Sequence, residues 1–216
     1  MEEKRLKPDG FEKPPIIGIK IIFFILLLSF VIISIIVSSG VSDDVDTRVT
    51  RTLYEDHGKD NHTLMRFISF FGGYYGLIPG SLIVIGYLFY KRLPRRGMLF
   101  TAMTLFSVAI FMIIKIAIGR PRPDFGLLHP LDYSYPSGHA TASFVFYVGL
   151  YFYLFYEARE GLELWKLLPL LLLPIIIGVS RLFLALHYPT DIIGGFLLGG
   201  CVLASFYLFG RRYDVL

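Results

Sequence analysis

Long apolar runs, separated by short polar connections, make up most of the chain. Runs of about 20 apolar residues are typical of helices that cross the apolar core of a bilayer, which is about 30 Å thick. The pattern predicts six such spans, at 16–37, 67–90, 97–118, 136–156, 167–186 and 192–209. We therefore expect an all-α polytopic membrane protein with one six-span domain at 16–210, a tail at 1–15 and a C-terminus at 211–216.

The connection at 38–66 has a different pattern. Val41, Val45, Val49 and Leu53 recur at intervals of four residues among acidic and polar residues. This period predicts an amphipathic helix that lies on the membrane surface.

Glycine spacing predicts close helix packing in two of the spans. Gly72, Gly76 and Gly80 lie four residues apart in the second span, and Gly195 and Gly199 have the same spacing in the sixth. Small residues at this interval form a smooth face that lets a neighbouring helix approach closely in a membrane.

Composition supports the membrane class and argues against others. Hydrophobic residues are 55% of the 216, and the mean hydropathy of +0.62 is too apolar for an ordinary soluble domain. The net charge of +4 does not indicate a nucleic-acid partner, because the basic residues are dispersed at the ends of spans. The single cysteine, Cys201, lies inside the sixth span, which excludes a disulfide framework and a cysteine-based metal site. The first apolar run exceeds the roughly 7–15 residues of a signal peptide, so we expect a retained helix.

Basic residues set the expected orientation, because an excess of Lys and Arg marks the cytoplasmic side of a membrane protein. With six spans, four segments that carry Lys or Arg share one side: 1–15, 91–96, 157–166 and 211–216. Three charge-bearing segments, 115–123, 136–139 and 180–191, then share the opposite, extracytoplasmic face, together with the connection at 38–66. We expect a functional site on that face of the cell membrane.

The segment 180–191 places an arginine, a histidine and an aspartate between two apolar runs. An Arg or Asp at the centre of a membrane helix costs about 2.5–3.5 kcal/mol on insertion, so such residues are rare unless they are paired or functional. Pro189 suits the first turn of a helix, where free N–H groups favour an anion such as Asp191. His187 lies four residues before that carboxylate, within reach of it. Taken alone, Arg181, His187 and Asp191 also fit a buried charge cluster that holds helices together.

The segment 115–123 offers fixed cations. Lys115 and Arg122 lie seven residues apart, with Arg120 as a spare, and they suit an oxyanion with two negative charges. The alternative is that these side chains reach toward lipid headgroups from the end of a helix.

The segment 136–139 begins the fourth span. Ser137 is a good N-cap and Gly138 allows a close backbone approach. The N–H groups of Ser137, Gly138 and His139 can form an anion cradle, with the His139 ring beside it. Taken alone, the segment favours the simpler interpretation, a capped helix start with a histidine.

Together the three segments carry more positive charge than a structural network needs, which points to a phosphate. Their residues also resemble the three signature motifs of the type 2 phosphatidic acid phosphatase family, which includes vanadium haloperoxidases and glucose-6-phosphatase. The matching sequences are Lys115-x6-Arg122-Pro123, Pro136-Ser137-Gly138-His139 and Ser180-Arg181-x5-His187-x3-Asp191. Every motif position is matched, in the same order.

The resemblance implies a role for each residue. His187 is expected to attack phosphorus, Asp191 to hold its tautomer, and His139 to protonate the leaving oxygen and later activate water. The phosphoryl oxygens are expected to bind five residues: Lys115, Arg122, Arg181, Ser137 and Gly138. The resemblance implies neither a metal nor another cofactor.

The resemblance also implies a substrate class, a membrane lipid phosphate reached from the bilayer. Within the family, a compact six-span chain resembles bacterial undecaprenyl pyrophosphate phosphatases, with phosphatidylglycerophosphate or broader phosphatidic acid phosphatases as the alternative. A small transporter component is a further alternative, although neither internal symmetry nor charge at the middle of several spans supports it. A haloperoxidase is expected to be soluble, and the apolar spans argue against one.

Overall fold

The computed structural model describes residues 16–58, 60–128, 130–155, 163–213 and 215. Within these ranges the chain forms eight α-helices and no strand, so the all-α prediction is confirmed. The helices are α1 Ile16–Ser38, α2 Asp43–Leu53, α3 His62–Phe70, α4 Tyr74–Tyr90, α5 Pro94–Ile118, α6 Gly138–Leu150, α7 Leu164–Phe183 and α8 Pro189–Arg212. The predicted tail at 1–15 lies outside the described residues.

Five segments of the described chain are long and apolar enough to cross a membrane. They are α1, α3 with α4, α5, α7 and α8. The sixth predicted span corresponds to α6, which has 13 residues and continues as a π-helical turn at Tyr151–Phe155. Residues 156–162 lie outside the described part, so the count of six spans remains a prediction.

Helix α6 lies at the centre of the bundle, in contact with α4, α5, α7 and α8. The glycine pair of α8 allows this packing. A Cβ atom at Gly195 would come within 2.8 Å of the Ala140 Cβ atom, and one at Gly199 within 3.2 Å of the Thr141 carbonyl oxygen. The close contact predicted for Gly195 and Gly199 is confirmed, because a side chain at either position would push α6 away.

The second predicted span is interrupted. Helix α3 ends at Phe70 and α4 begins at Tyr74, and a Cβ atom at Gly76 would lie 2.5 Å from the Phe70 carbonyl oxygen. The turn therefore needs glycine at 76, and the prediction that three glycines line one helix face is wrong. Gly72 instead lies in the turn against Ile177 of α7, while Gly80 packs on Phe146 of α6.

Helix α2 has the amphipathic character predicted for 38–66. Val45 and Val49 are exposed, while Asp46 and Thr50 on the other face are buried. The polar face therefore packs onto the bundle, and the apolar face points away from it. This arrangement suits a helix that rests in a membrane surface.

The three charged segments meet at one end of the bundle. Here α5 and α7 end, α6 and α8 begin, and Arg122 contacts His187 across 65 residues of sequence. At the other end, the Arg96 side chain donates to the carbonyl oxygen of Val215 over 3.2 Å, which brings the basic 91–96 loop beside the C-terminus. The predicted meeting of the three charged segments is confirmed, and the side of the membrane that each end faces remains a prediction.

Candidate active site

His187 lies in the short link between α7 and α8, and its two ring nitrogens have opposite surroundings. Nδ1 is 3.4 Å from Asp191 Oδ2 and 3.3 Å from the Ser134 hydroxyl, whereas Nε2 is 3.1 Å from Arg122 Nη1. Because a guanidinium can only donate, Nε2 is the acceptor and Nδ1 carries the proton toward Asp191. The unprotonated Nε2 is therefore the ring atom whose lone pair is suited to nucleophilic attack.

The protonation state of His187 fits this assignment. Burial lowers the pKa of the ring well below its usual value, and the nearby cations Arg122 and Arg181 lower the pKa further. The imidazole is thus neutral at pH 7, with a lone pair on Nε2. A neutral ring with one oriented proton is the form that a histidine nucleophile requires.

Asp191 occupies the first turn of α8, as predicted, and is fully buried. Its Oδ2 atom accepts from the Tyr188 N–H over 2.8 Å and from the Ser134 hydroxyl, besides facing His187. Its Oδ1 atom accepts from Arg120 Nη1 over 2.9 Å. Several donors therefore fix the carboxylate that orients the histidine.

Arg120 is not the spare phosphate cation that the sequence suggests. Its Nη2 atom donates to Asp43 and Asp46 of α2, both over 2.8 Å, and its Nη1 atom donates to Thr190 and Asp191. Burial alone would lower the pKa of Arg120, but these carboxylates raise the pKa above its usual value. The side chain is committed to carboxylates, so it ties α2 to the start of α8.

Lys115 and Arg122 lie together, as their spacing predicts, and share one carboxylate. Lys115 Nζ donates to Asp132 Oδ2 over 3.0 Å and to the Tyr133 carbonyl oxygen over 2.6 Å. Arg122 donates to Asp132 Oδ1 from Nε over 3.0 Å and from Nη2 over 2.8 Å. Burial raises the pKa of Asp132, but Arg122 and Lys115 outweigh it and hold the pKa below its usual value. Asp132 is therefore an ionised neighbour of both cations.

Arg181 is buried near the end of α7. Its Nη1 atom donates to the Ser69 hydroxyl over 2.6 Å, while its Nε atom has no hydrogen-bond partner among the described residues. A buried guanidinium N–H without a partner is costly, and a bound anion would satisfy it. The geometry suits the predicted phosphate-binding role.

The start of α6 differs in one respect from the predicted anion cradle. The Ser137 N–H donates to the Asp191 carbonyl oxygen over 2.9 Å, and the Ser137 hydroxyl accepts from the Ala140 N–H over 3.4 Å. Ser137 is thus the predicted N-cap, but its N–H is not available to an anion, so that part of the cradle is wrong. A phosphate contact from the Ser137 hydroxyl, or from Gly138, remains a prediction.

One cavity of about 990 Å³ connects these groups. Its wall contains six of the predicted site residues: Lys115, Arg122, Gly138, His139, Arg181 and His187. Asp191 and Ser137 lie behind the wall, where they support His187 and α6. From the charged end the cavity continues between α4 and α5, along apolar residues that include Leu77, Leu105 and Met112.

Three residues of the site have no motif in the sequence. Asp46 accepts a hydrogen bond from Arg120, and Ser134 donates one to Asp191. Asp132 accepts hydrogen bonds from both Lys115 and Arg122. Asp46 looks like one acid among several on an amphipathic helix, and Ser134 like an ordinary loop serine. A signal was available only for Asp132, one of two acids in the loop that follows the fixed cations.

Comparison with known proteins places this site in a family. The sequence model of the PAP2 superfamily matches residues 96–213, more than half of the chain. Phosphatidylglycerophosphatase B of Bacillus subtilis is 25% identical over 177 residues, 81% of this chain and 87% of that protein. Undecaprenyl-diphosphatase of Sulfolobus acidocaldarius is 25% identical over 194 residues, 85% of this chain and 88% of that protein.

A solved structure shares the fold. The crystal structure of a transmembrane PAP2 type phosphatidylglycerolphosphate phosphatase from Bacillus subtilis superposes with a TM-score of 0.76 at 24% identity. The match covers 90% of this chain and 97% of that one, so the helical arrangement described above is common to both.

Proposed function

The chain belongs to the PAP2 superfamily, and from this premise we propose that it is an integral-membrane phosphatase that removes the terminal phosphate of a lipid. One observation carries the proposal. Three cationic side chains and two histidines line the charged end of a single cavity whose other walls are mostly apolar. A phosphate group matches the charged end, and the hydrocarbon of a lipid matches the rest.

The reaction follows from the tautomer of His187. Its Nε2 atom attacks phosphorus and forms a P–N bond, while the bond from phosphorus to the leaving oxygen breaks. His139 gives a proton to that oxygen, and the lipid product departs. Water then attacks the phosphohistidine and gives a proton to His139. The P–N bond breaks, its electron pair returns to Nε2, and inorganic phosphate leaves. Asp191 holds the Nδ1 proton throughout and stabilises the positive charge on the ring.

The cations stabilise the charge that develops on the phosphoryl oxygens. Lys115, Arg122 and Arg181 supply fixed donors from largely buried positions, where such interactions are stronger than in bulk water. Arg122 also lies beside the nucleophile, and its hydrogen bond to Nε2 must break to free the lone pair for attack on a phosphate bound at the same guanidinium. The Gly138 N–H, which lines the cavity at the start of α6, is expected to bind the remaining oxygen.

The length of the apolar part of the cavity favours a substrate with a long lipid tail. Thr101 of α5 lines its far end, about four turns before Lys115 and hence about 21 Å along the helix. We propose undecaprenyl diphosphate as the preferred substrate, with phosphatidylglycerophosphate as the second candidate. A relative with each activity in its name covers most of this chain.

Phosphate release from the purified protein in detergent tests the proposal. We expect hydrolysis of undecaprenyl diphosphate to exceed that of phosphatidylglycerophosphate and phosphatidic acid. Because three protein cations already surround the phosphate, activity should survive EDTA, and vanadate, which mimics pentacoordinate phosphorus, should inhibit it. Activity that EDTA removes and magnesium restores would show that a metal is required. No release from any substrate would overturn the phosphatase proposal.

We also propose that the site faces the extracytoplasmic side, because the basic loop 91–96 lies at the other end of the bundle. Leu131 and Lys91 are exposed near opposite ends, and the native thiol at Cys201 is buried. In intact cells, a membrane-impermeant maleimide should label Leu131→Cys and leave Lys91→Cys unlabelled until the cells are permeabilised. The reverse pattern would rule out this orientation.

A further inference from the structure

Asp132 contacts Lys115 and Arg122, the two cations that a substrate phosphate is expected to bind. Its two carboxylate oxygens lie 3.0 Å from Lys115 Nζ and 2.8 Å from Arg122 Nη2. The side chain of Asp132 is 54% exposed, whereas those of Lys115 and Arg122 are 8% and 10% exposed. The carboxylate therefore lies on the outer side of the cations.

The geometry of Arg122 does not allow Asp132 and a phosphate to occupy the same edge of the guanidinium together. Its Nη1 atom is already bonded to the Leu186 carbonyl oxygen and to His187 Nε2. The edge formed by Nε and Nη2 is the one that can grip an anion with two parallel hydrogen bonds, and both of these atoms donate to Asp132. A phosphoryl group that takes this edge must displace the carboxylate.

Displacement favours the anion with the higher charge. A carboxylate tethered beside its partners acts at an effective concentration of about millimolar or more. A phosphodiester headgroup has only the same single charge and carries two bulky substituents, so it gains nothing over Asp132. A phosphomonoester carries about −1.5 to −2 at pH 7 and presents three unsubstituted oxygens. The terminal phosphate of a lipid diphosphate likewise presents three unsubstituted oxygens.

We propose that Asp132 is a specificity-determining residue, a built-in competitor that admits terminal phosphates and excludes the phosphodiester headgroups of the surrounding bilayer. The inference rests on the proposed phosphatase function. Competition from Asp132 keeps phosphodiester lipids, which greatly outnumber the substrate in the membrane, from binding at the site. Repulsion of the wrong ligand, rather than tighter binding of the right one, supplies the discrimination.

Asp132→Asn tests the proposal, because the amide keeps the shape of the side chain and removes its charge. Asp124→Asn is the matched control, since Asp124 is exposed in the same loop and forms no ion pair within the described part of the chain. The variants are compared in detergent, with a soluble phosphomonoester as substrate and dimethyl phosphate as the phosphodiester competitor. For Asp132→Asn, we expect KM to fall about tenfold, kcat to change little, and dimethyl phosphate to become an inhibitor. Dimethyl phosphate should not inhibit the wild-type protein or Asp124→Asn.

A binding measurement separates this proposal from the phosphatase function. Inorganic phosphate should raise the Tm of Asp132→Asn more than that of the wild type, and dimethyl phosphate should raise the Tm of the variant alone. This measurement needs no turnover, so it decides the inference even if no substrate is hydrolysed. An unchanged KM, or a higher one, with no response to dimethyl phosphate would show that Asp132 only positions the cations. Asp132→Ala provides a second variant if the amide variant does not fold.

Discussion

His187→Ala is expected to abolish both turnover and the phosphoenzyme. The substitution removes Nε2, the proposed nucleophile beside Arg122, and no other imidazole among the described residues has an aspartate hydrogen-bonded behind it. Loss of a nucleophile costs about 10⁴-fold or more in kcat, because the remaining binding groups cannot form the covalent intermediate. Phosphate release and acid-labile phosphate on the protein are the two measurements. His57→Ala, an exposed histidine on the turn after α2, is the matched control.

His139→Ala should have a different effect. His139 lies in the cavity wall at the start of α6, which suits proton transfer to the leaving oxygen. A lipid alkoxide needs that proton, so hydrolysis of lipid monoesters should fall by about 10²–10⁴-fold. Cleavage of p-nitrophenyl phosphate, whose leaving group needs little protonation, should be partly retained. Acid-labile phosphate found on His187→Ala and not on His139→Ala would show that the two roles are reversed.

Asp191→Asn should have an activity between those of His187→Ala and His139→Ala. Arg120 and Ser134 both donate to the Asp191 carboxylate, and an amide would turn its N–H₂ group toward one of these donors. The substitution therefore disturbs the orientation of His187 without removing the nucleophile. Slower formation of a phosphoenzyme that still accumulates would match this role.

Local sequence spacing could predict the part of the site that is built within one segment. His187 and Asp191 are four residues apart across a proline that starts a helix, so their contact depends on local backbone geometry. Lys115, Arg122 and His139 could be placed on one face because charge bias and the number of spans fix which ends of helices meet. These inferences needed no knowledge of how the helices pack.

Residues whose roles depend on tertiary contacts could not be predicted in this way. Arg120 bonds to Asp46 across 74 residues of sequence, and nothing in either segment specifies that pairing. Asp132 lies in a loop without periodic structure, so its direction toward the cations depends on the folded loop. The break between α3 and α4 was missed for a similar reason. A helix can contain glycine, and the turn at Gly72 forms where α7 and α6 leave room for it.

Arg120→Met is expected to reduce stability and activity together. The substitution leaves two fully buried carboxylates, Asp46 and Asp191, without their shared cation. Removing one partner of a buried ion pair costs about 3–5 kcal/mol, because the remaining charge is isolated from water. The midpoint of thermal unfolding in detergent should fall accordingly. Arg48→Met, at an exposed position of α2, should leave that midpoint nearly unchanged.

The loss of activity should exceed what instability explains. Without Arg120, Oδ1 of Asp191 loses its charged donor, and the carboxylate that orients His187 is held from one side only. Misplacement of a catalytic group by about 1 Å costs roughly 100-fold in rate, and kcat should fall by at least that factor. Arg120→Lys should be intermediate, because one ammonium cannot reach both α2 and Asp191 as the two ends of the guanidinium do.

A second substitution separates the two effects. Asp46→Asn removes one of the buried charges that Arg120→Met leaves unpaired, so the double variant should unfold at a higher temperature than Arg120→Met alone. Asp191 remains without its donor in the double variant, so kcat should stay as low as in the single variant. The comparison is made below the unfolding temperature of both proteins, with equal amounts of folded protein. If kcat recovers together with stability, Arg120 only holds α2 in place. If stability recovers and kcat does not, Arg120 positions the catalytic histidine through Asp191.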